Sequence, residues 1–289
     1  MTLMSRIDLH LHTTYSDGSF TPEEVLKRAA AASVTTAAIT DHDTIDGISD
    51  AMASAAGLGI ELIPGIELSA RYPEADVGTE LHILGYFVDW QSIDLQTKLA
   101  HLRMTRHTRN PRIVKKLNEL GVEVTYDEVL ALAGNGAVGR PHIARVMMDK
   151  GYVTSAKEAF DRYLAAGAAA YVPRDLPTPR EAIALIRAAR GVPVLAHPSW
   201  LERSHVGIYK SCERLKAEGL LGVEVHYSTH NPSQTAQYLD TATRLGLLVT
   251  GGSDFHGVTK PDIEVGTGRG TLKVPEQLLE PLRNAVARP

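Results

Sequence analysis

The chain has 289 residues, enough for one large α/β domain or two ordinary ones. Its net charge of −4 argues against binding long nucleic acids, while leaving room for a small anionic substrate held by local cations. A single cysteine, Cys212, excludes an internal disulfide and thiolate-rich metal sites. The first six residues lack the basic and apolar regions of a signal peptide, and no apolar run could span a bilayer. A reducing cytoplasm and no membrane partner are expected.

In chain order, residues 6–12 read as a strand. Alternation on it would turn Ile7, Leu9 and Leu11 to one face and Asp8, His10 and His12 to the other. Two adjacent imidazoles suit one divalent cation. The plainer reading of His10-x-His12 is a half-exposed strand carrying two polar residues. Asp17 follows in a Gly-containing turn and can add an oxygen ligand. Thr21-Pro22-Glu23-Glu24 opens a helix over 22–33, with a capping threonine, proline in the first turn and acids at the positive end. A strand over 36–41 ends in Thr40-Asp41-His42-Asp43, a helix covers 45–56, and a strand over 60–66 runs into Gly65-Ile66-Glu67-Leu68-Ser69.

The next strand, 81–88, carries His82 near its start rather than its end. A turn over 73–78 would fold residues 79–87 antiparallel onto 62–70 and bring His82 to Glu67. Residues 92–170 then break the strand–helix alternation with helices at 93–119, 126–133, 140–150 and 155–165. This insertion is expected to cover the site; the alternative is that it only enlarges the core. Alternation resumes with a helix at 178–190, a strand at 192–197 ending in His197, a helix at 208–218 and a strand at 221–226. A helix at 231–245, a strand at 247–251 leading to Gly252-Ser253-Asp254-Phe255-His256, and a helix at 275–287 complete the chain.

Strand–helix alternation implies parallel strands around a sheet or barrel, and polar residues at strand carboxyl ends mark the active rim of barrels. Asp8, Asp41 and Asp43 flank candidate ligands and are expected to orient imidazoles, with loop capping the alternative for Asp43; Ser69 is grouped with them. Arg140 and His142 open a helix whose amino end favours phosphate, and they and Arg174 are candidate substrate contacts. For these three the alternatives are a solvent-facing arginine, a capping histidine, and an arginine paired with Asp175. His226, Ser228 and His230 lie beyond another strand end. His226 or His230 could serve as general acid, and Ser228 or His230 as a phosphate contact; surface placement is the alternative. His101, His107 and His205 default to surface or packing roles, and Cys212 to core filling.

Taken together, His10-x-His12, Asp17-Gly18, Thr40-Asp41-His42, Gly65-x-Glu67, His82, His197-Pro198 and Gly252-Ser253-Asp254-x-His256 resemble the PHP (polymerase and histidinol phosphatase) superfamily. The resemblance covers residues 6–87 and 192–257 and implies a distorted (β/α)7 TIM-like barrel, assigned to residues 1–91 and 171–289, with residues 92–170 as a helical insertion. It implies a cluster of two or three divalent cations, manganese first with zinc or iron as alternatives. His10, His12 and Asp254 would hold one, with Glu67 bridging; Glu67, His82 and His197 a second; Asp17, His42 and His256 a third.

Gly139-Arg140-Pro141-His142-Ile143-Ala144 and Tyr171-Val172-Pro173 further resemble the 3′,5′-nucleoside bisphosphate phosphatase branch, the TrpH/YciV-like or RNase AM group. That branch implies removal of a nucleotide's 3′-phosphate by a metal-bridging hydroxide held by His10, His12, Glu67 and Asp254, with a nucleotide or short RNA as partner. The competing expectations are a 5′–3′ exonuclease on short RNA, a histidinol phosphate phosphatase, and a metal-stabilised structural module without activity.

Overall fold

The computed structural model of the chain describes residues 6–72, 80–133, 138–173, 175–202 and 204–286, with backbone alone at 105–107. The turn expected at 73–78, Arg174 and the His107 side chain lie outside the described residues.

Seven strands form one sheet in sequence order: β1 (Arg6–Leu11), β2 (Val34–Ile39), β3 (Glu61–Arg71), β4 (Glu80–Tyr86), β5 (Val192–Leu195), β6 (Gly222–Tyr227) and β7 (Leu248–Gly252). β4 alone runs against its neighbours, antiparallel to both β3 and β5; every other pairing is parallel. The sheet curls until its ends meet. Leu11 bridges Phe255, His12 N donates to Phe255 O at 3.0 Å, and Asp254 N donates to His10 O at 2.8 Å. The result is a nearly closed α/β barrel. At this seam Gly252 is obligatory, because a Cβ there would sit 2.4 Å from both N and Cβ of His10.

Helices α1 (Pro22–Ala31), α2 (Ile48–Leu58), α7 (Pro179–Ala188), α8 (His205–Ala217) and α9 (Pro232–Leu245) wrap the barrel. Thr21 with Glu24, Thr178 with Glu181 and Asn231 with Gln234 form reciprocal capping boxes, each followed by proline, so the sequence signals for these starts hold. The outer core joins Leu26, Ile39, Ile66, Leu99 and Cys212. Burial pushes the Cys212 thiol up to about 12, which fits an inert filler. The last helix starts later than expected: a 3-10 turn precedes α10 (Leu279–Val286).

The insertion comprises α3 (Ile93–Glu119), α4 (Tyr126–Ala133), α5 (Arg140–Asp149) and α6 (Ala156–Ala159), which continues as a π turn to Leu164. It has its own apolar cluster, including Ile113, Leu117, Val129, Ile143, Met147 and Val172. Among the described residues, no helix is long and apolar enough to cross a membrane.

β1 departs from simple alternation. Its register advances from Asp8 to Leu11 while β2 advances only from Ala37 to Ile39. This one-residue bulge shifts the facing of side chains. Ile7 and Leu9 join the cluster of Leu84, Tyr86 and Val194, while Leu11 joins the outer core. Asp8 therefore meets the His10 backbone N–H, at 3.4 Å, and not its imidazole as expected. It accepts from Ser253 N at 2.8 Å and Gly266 N at 2.7 Å, tying β1 to the chain beyond β7.

Candidate metal centre

Glu67, fully buried on β3, is the hub. Its Oε2 lies 3.2 Å from His10 Nε2, 3.1 Å from His12 Nε2 and 3.1 Å from His42 Nδ1. Its Oε1 lies 2.9 Å from His82 Nδ1 and 3.0 Å from His197 Nε2. His82 arrives by the antiparallel pairing anticipated from the sequence, with Glu67 opposite Leu84 and Ser69 opposite His82. Asp254 Oδ1 faces His10 Nε2 at 3.5 Å and His12 Nε2 at 3.3 Å. Asp17 Oδ1 stands 3.2 Å from His256 Nε2 and 3.9 Å from His42 Nε2. All nine side chains expected as ligands thus meet at one end of the barrel.

Three tests on these atoms favour cations. The Nε2 atoms of His10 and His12 face each other at 3.1 Å, with two carboxylate oxygens beside them. Four donors around a cation at about 2.0–2.2 Å would be spaced much as these are. Asp17 Oδ1 and His42 Nδ1 are buried and make no well-aligned hydrogen bond although His256 Nε2 and Glu67 Oε2 lie 3.2 and 3.1 Å away, an arrangement that suits ion sites. Single ligand atoms from His12, Asp17, His42 and His256 come within 4.8 Å of one another, as do those of His10, His12 and Glu67, and of His42, Glu67 and His82. The first group contains the whole Asp17–His42–His256 set that the resemblance implies, the second contains His10, His12 and the bridging Glu67, and the third pairs Glu67 and His82 with His42 where the resemblance has His197. Imidazole and carboxylate donors without thiolate suit manganese, zinc or iron.

The electrostatics match. Burial opposes charge on Glu67, yet the imidazoles of His42, His10 and His82 hold its carboxyl well below the usual range. Asp254 is likewise lowered against burial, by Lys260, His256 and His10. Burial would lower His12, but hydrogen bonds to Asp254 and Glu67 push it up to about 9. The cluster opens on the side of His82 and His42, whose side chains remain 18% and 13% exposed.

Three residues at the site hold left-handed backbone: Asp43 at φ 55°, His197 at φ 24° and Asp254 at φ 56°. Such strain costs about 1–3 kcal/mol each and persists only where surroundings enforce it. The amide of Asp43 donates to Glu67 O, that of Asp254 to His10 O, and that of His197 to the Glu224 carboxylate.

Several expected roles shift. Asp41 accepts from Thr13 N, Thr13 Oγ1 and Ser16 Oγ, and so braces the loop after β1 instead of a ligand imidazole. Asp43 accepts from Ser69 N and Ser69 Oγ. His142 Nδ1 accepts from Gly139 N and caps α5. Arg140 pairs with Glu80 at 3.1 Å and donates to Leu164 O, linking the insertion to the strand that carries His82. His230 donates from Nδ1 to Val225 O, and its Nε2 accepts from Ser199 Oγ; burial lowers its pKa. Burial lowers His226 as well, and a Cβ at Gly251 would meet this histidine. Ser228 Oγ donates to Ser253 O and secures the loop before Asp254.

Three contributors escaped sequence reasoning. Glu224 Oε1 accepts from His10 Nδ1 at 2.9 Å, and its Oε2 from His197 N at 2.8 Å. Tyr227 Oη and Lys260 Nζ both donate to Asp254 Oδ2, at 2.7 and 2.5 Å. A carboxylate inside the apolar run Gly222–Val225 was the available signal for Glu224; nothing local marks Lys260.

The sequence model described as the PHP domain matches residues 8–172. The chain belongs to the PHP family. The match runs through the insertion, beyond the segments that carry the motif resemblance. A 3′,5′-nucleoside bisphosphate phosphatase of Chromobacterium violaceum is 31% identical over 99% of each chain. A 5′-3′ exoribonuclease of Haemophilus influenzae is 35% identical over 88% of this chain and 91% of its own. A structure assigned as a metal-dependent phosphoesterase, from Bifidobacterium adolescentis, superposes with a TM-score of 0.84 at 29% identity, covering 98% of this chain and 96% of that one. Phosphoester hydrolysis at a histidine–carboxylate cluster able to hold metal ions is the chemistry of this PHP domain.

Proposed function

We infer that this PHP domain hydrolyses the 3′-phosphate of nucleoside 3′,5′-bisphosphates. The observation that carries the reading is the Glu67-centred convergence of nine ligand-type side chains, in a chain alignable end to end with a bisphosphate phosphatase. His10, His12, Asp254 and Glu67, then Glu67, His82 and His197, then Asp17, His42 and His256 would hold two or three cations, manganese foremost. Bound there, divalent cations neutralise phosphoryl oxygens and bring the pKa of water towards 7.

The chain's own groups do the rest. Glu67 places two sets of imidazoles on either side of one carboxylate. Tyr227 and Lys260 hold one oxygen of Asp254 so that the other faces His10 and His12. Burial and the Asp254 charge raise the Tyr227 phenol well above its usual value, so it stays a donor. The Lys260 ammonium brings positive charge to this edge, and the Trp200 indole, 46% exposed, lies 4.3 Å from the His197 ring. Phosphate and base would meet these two. Arg140, paired with Glu80 two residues from His82, would receive the 5′-phosphate at the expense of that ion pair.

A 5′–3′ activity on short RNA is the second reading, favoured by the exoribonuclease relative. It differs in what the 3′ side carries. A panel of adenosine 3′,5′-bisphosphate, adenosine 3′-monophosphate, histidinol phosphate and a short 5′-phosphorylated RNA, offered to manganese-loaded enzyme, separates the readings. Preferential phosphate release from the bisphosphate is expected; preference for RNA or histidinol phosphate transfers the assignment. No turnover on any phosphate ester leaves a structural module.

A further inference from the structure

We propose that Glu224 is a positioning residue that couples two cation positions through one buried carboxylate. The proposal rests on the cluster as a cation site and is independent of which substrate it serves. Glu224 is fully buried on β6, which pairs with β5, just before His197, and with β7, the strand that closes onto the His10 strand β1. One oxygen accepts the His10 Nδ1 proton at 2.9 Å. That bond fixes the tautomer and aims the Nε2 lone pair at His12, Glu67 and Asp254. The other oxygen accepts from the backbone N–H of His197 at 2.8 Å. That bond holds a residue at φ 24°, a conformation a histidine adopts only under restraint, and so places its Nε2 3.0 Å from Glu67 Oε1.

The two His10 and His197 rings stack 5.8 Å apart on opposite oxygens of Glu67. Glu224 therefore fixes a ligand on each side of the hub with a single side chain. The Asp17–His42–His256 group is oriented otherwise: His256 Nδ1 donates to Asp254 O at 2.9 Å. Loss of Glu224 should weaken the positions of His10 and of His197 together and spare the third.

The test counts metal rather than turnover. Wild-type chain and Glu224→Gln are equilibrated with manganese, bound equivalents are measured, and each is titrated with a competing chelator. A glutamine keeps one accepting oxygen and sets an NH2 against the second donor. It should weaken two equivalents by about 10–100-fold, the range for partners that orient metal ligands. An equivalent at Asp17–His42–His256 should stay within about threefold. A folded Glu224→Gln with wild-type affinity at every equivalent overturns the proposal, as does uniform weakening of all. Metal-free wild type would overturn the cation reading itself, so the two failures are distinct. Should Glu224→Gln not fold, nitrogen-15 spectra of zinc-loaded wild type decide: His10 must carry its proton on Nδ1, and a proton on Nε2 refutes the role.

Discussion

The barrel mouth and the helical insertion of this PHP domain solve opposite packing problems. At the mouth, nine ionisable side chains are crowded together with Glu67 as their hub, and their burial is tolerable because each faces an oppositely charged or oriented neighbour. The insertion is held by an ordinary apolar cluster, and its histidine at the rim serves as a cap. Chemistry sits where strands end, and the insertion touches it through a few polar links: Arg140 to Glu80, and Arg103 to Thr44 and Asp46. The covering role expected of the insertion would act through those links.

If that division is right, the largest effect comes from the hub. Glu67→Gln should lower phosphatase activity by more than about 100-fold, the upper range for residues that merely orient ligands, with loss of bound metal. Steady-state assays beside metal analysis check it; wild-type metal content in the variant would break the comparison. Gly252→Ala acts on the seam, where its Cβ would collide with His10. A cost of about 1–3 kcal/mol is expected in denaturant unfolding, together with weakened metal retention. Arg140→Ala should raise KM for the bisphosphate by about 10-fold or more, the scale of a charged hydrogen bond, and change a small phosphomonoester little. Equal effects on both would make Arg140 a purely structural link.

The pH dependence separates the two regions further. His12 lies at about 9 in the folded, cation-free chain against 6.5 ordinarily. Its stabilising contribution is therefore complete below about 6.5 and is lost as pH rises to 9. Cation binding must displace that proton, so affinity should climb across the same window, with protons released on binding. Calorimetry in buffers of different ionisation enthalpy measures this. The smallest effect belongs to the insertion. His142→Ala removes the cap on α5 and should cost about 1 kcal/mol while turnover per folded molecule stays unchanged.

Most of the barrel and all nine clustered side chains were legible because they follow short-range rules. Strand ends, capping threonines and the His10-x-His12 pair each announce themselves within a few residues. His82 was reachable because a hairpin reverses direction in a computable way. The rest depended on pairings between distant strands. The Asp8–Leu11 bulge exists only relative to β2, and it redirects Asp8 away from the cluster. Glu224 acquires its role from β1 and β5, and Lys260 from Asp254 at the far side of a turn. Arg140 and His142 were correctly seen to open a helix, and the capping alternative for His142 is the one its bond from Gly139 N shows, yet the Arg140 partner Glu80 was not visible from that pattern.

Anomalous diffraction from crystals grown with manganese addresses the Glu67 hub most directly. Peaks should appear within about 2.0–2.3 Å of donor atoms on both sides of Glu67, one with His10, His12 and Asp254 and one with His82 and His197. Peaks confined to surface carboxylates, or none at Glu67 under saturating manganese, would contradict it.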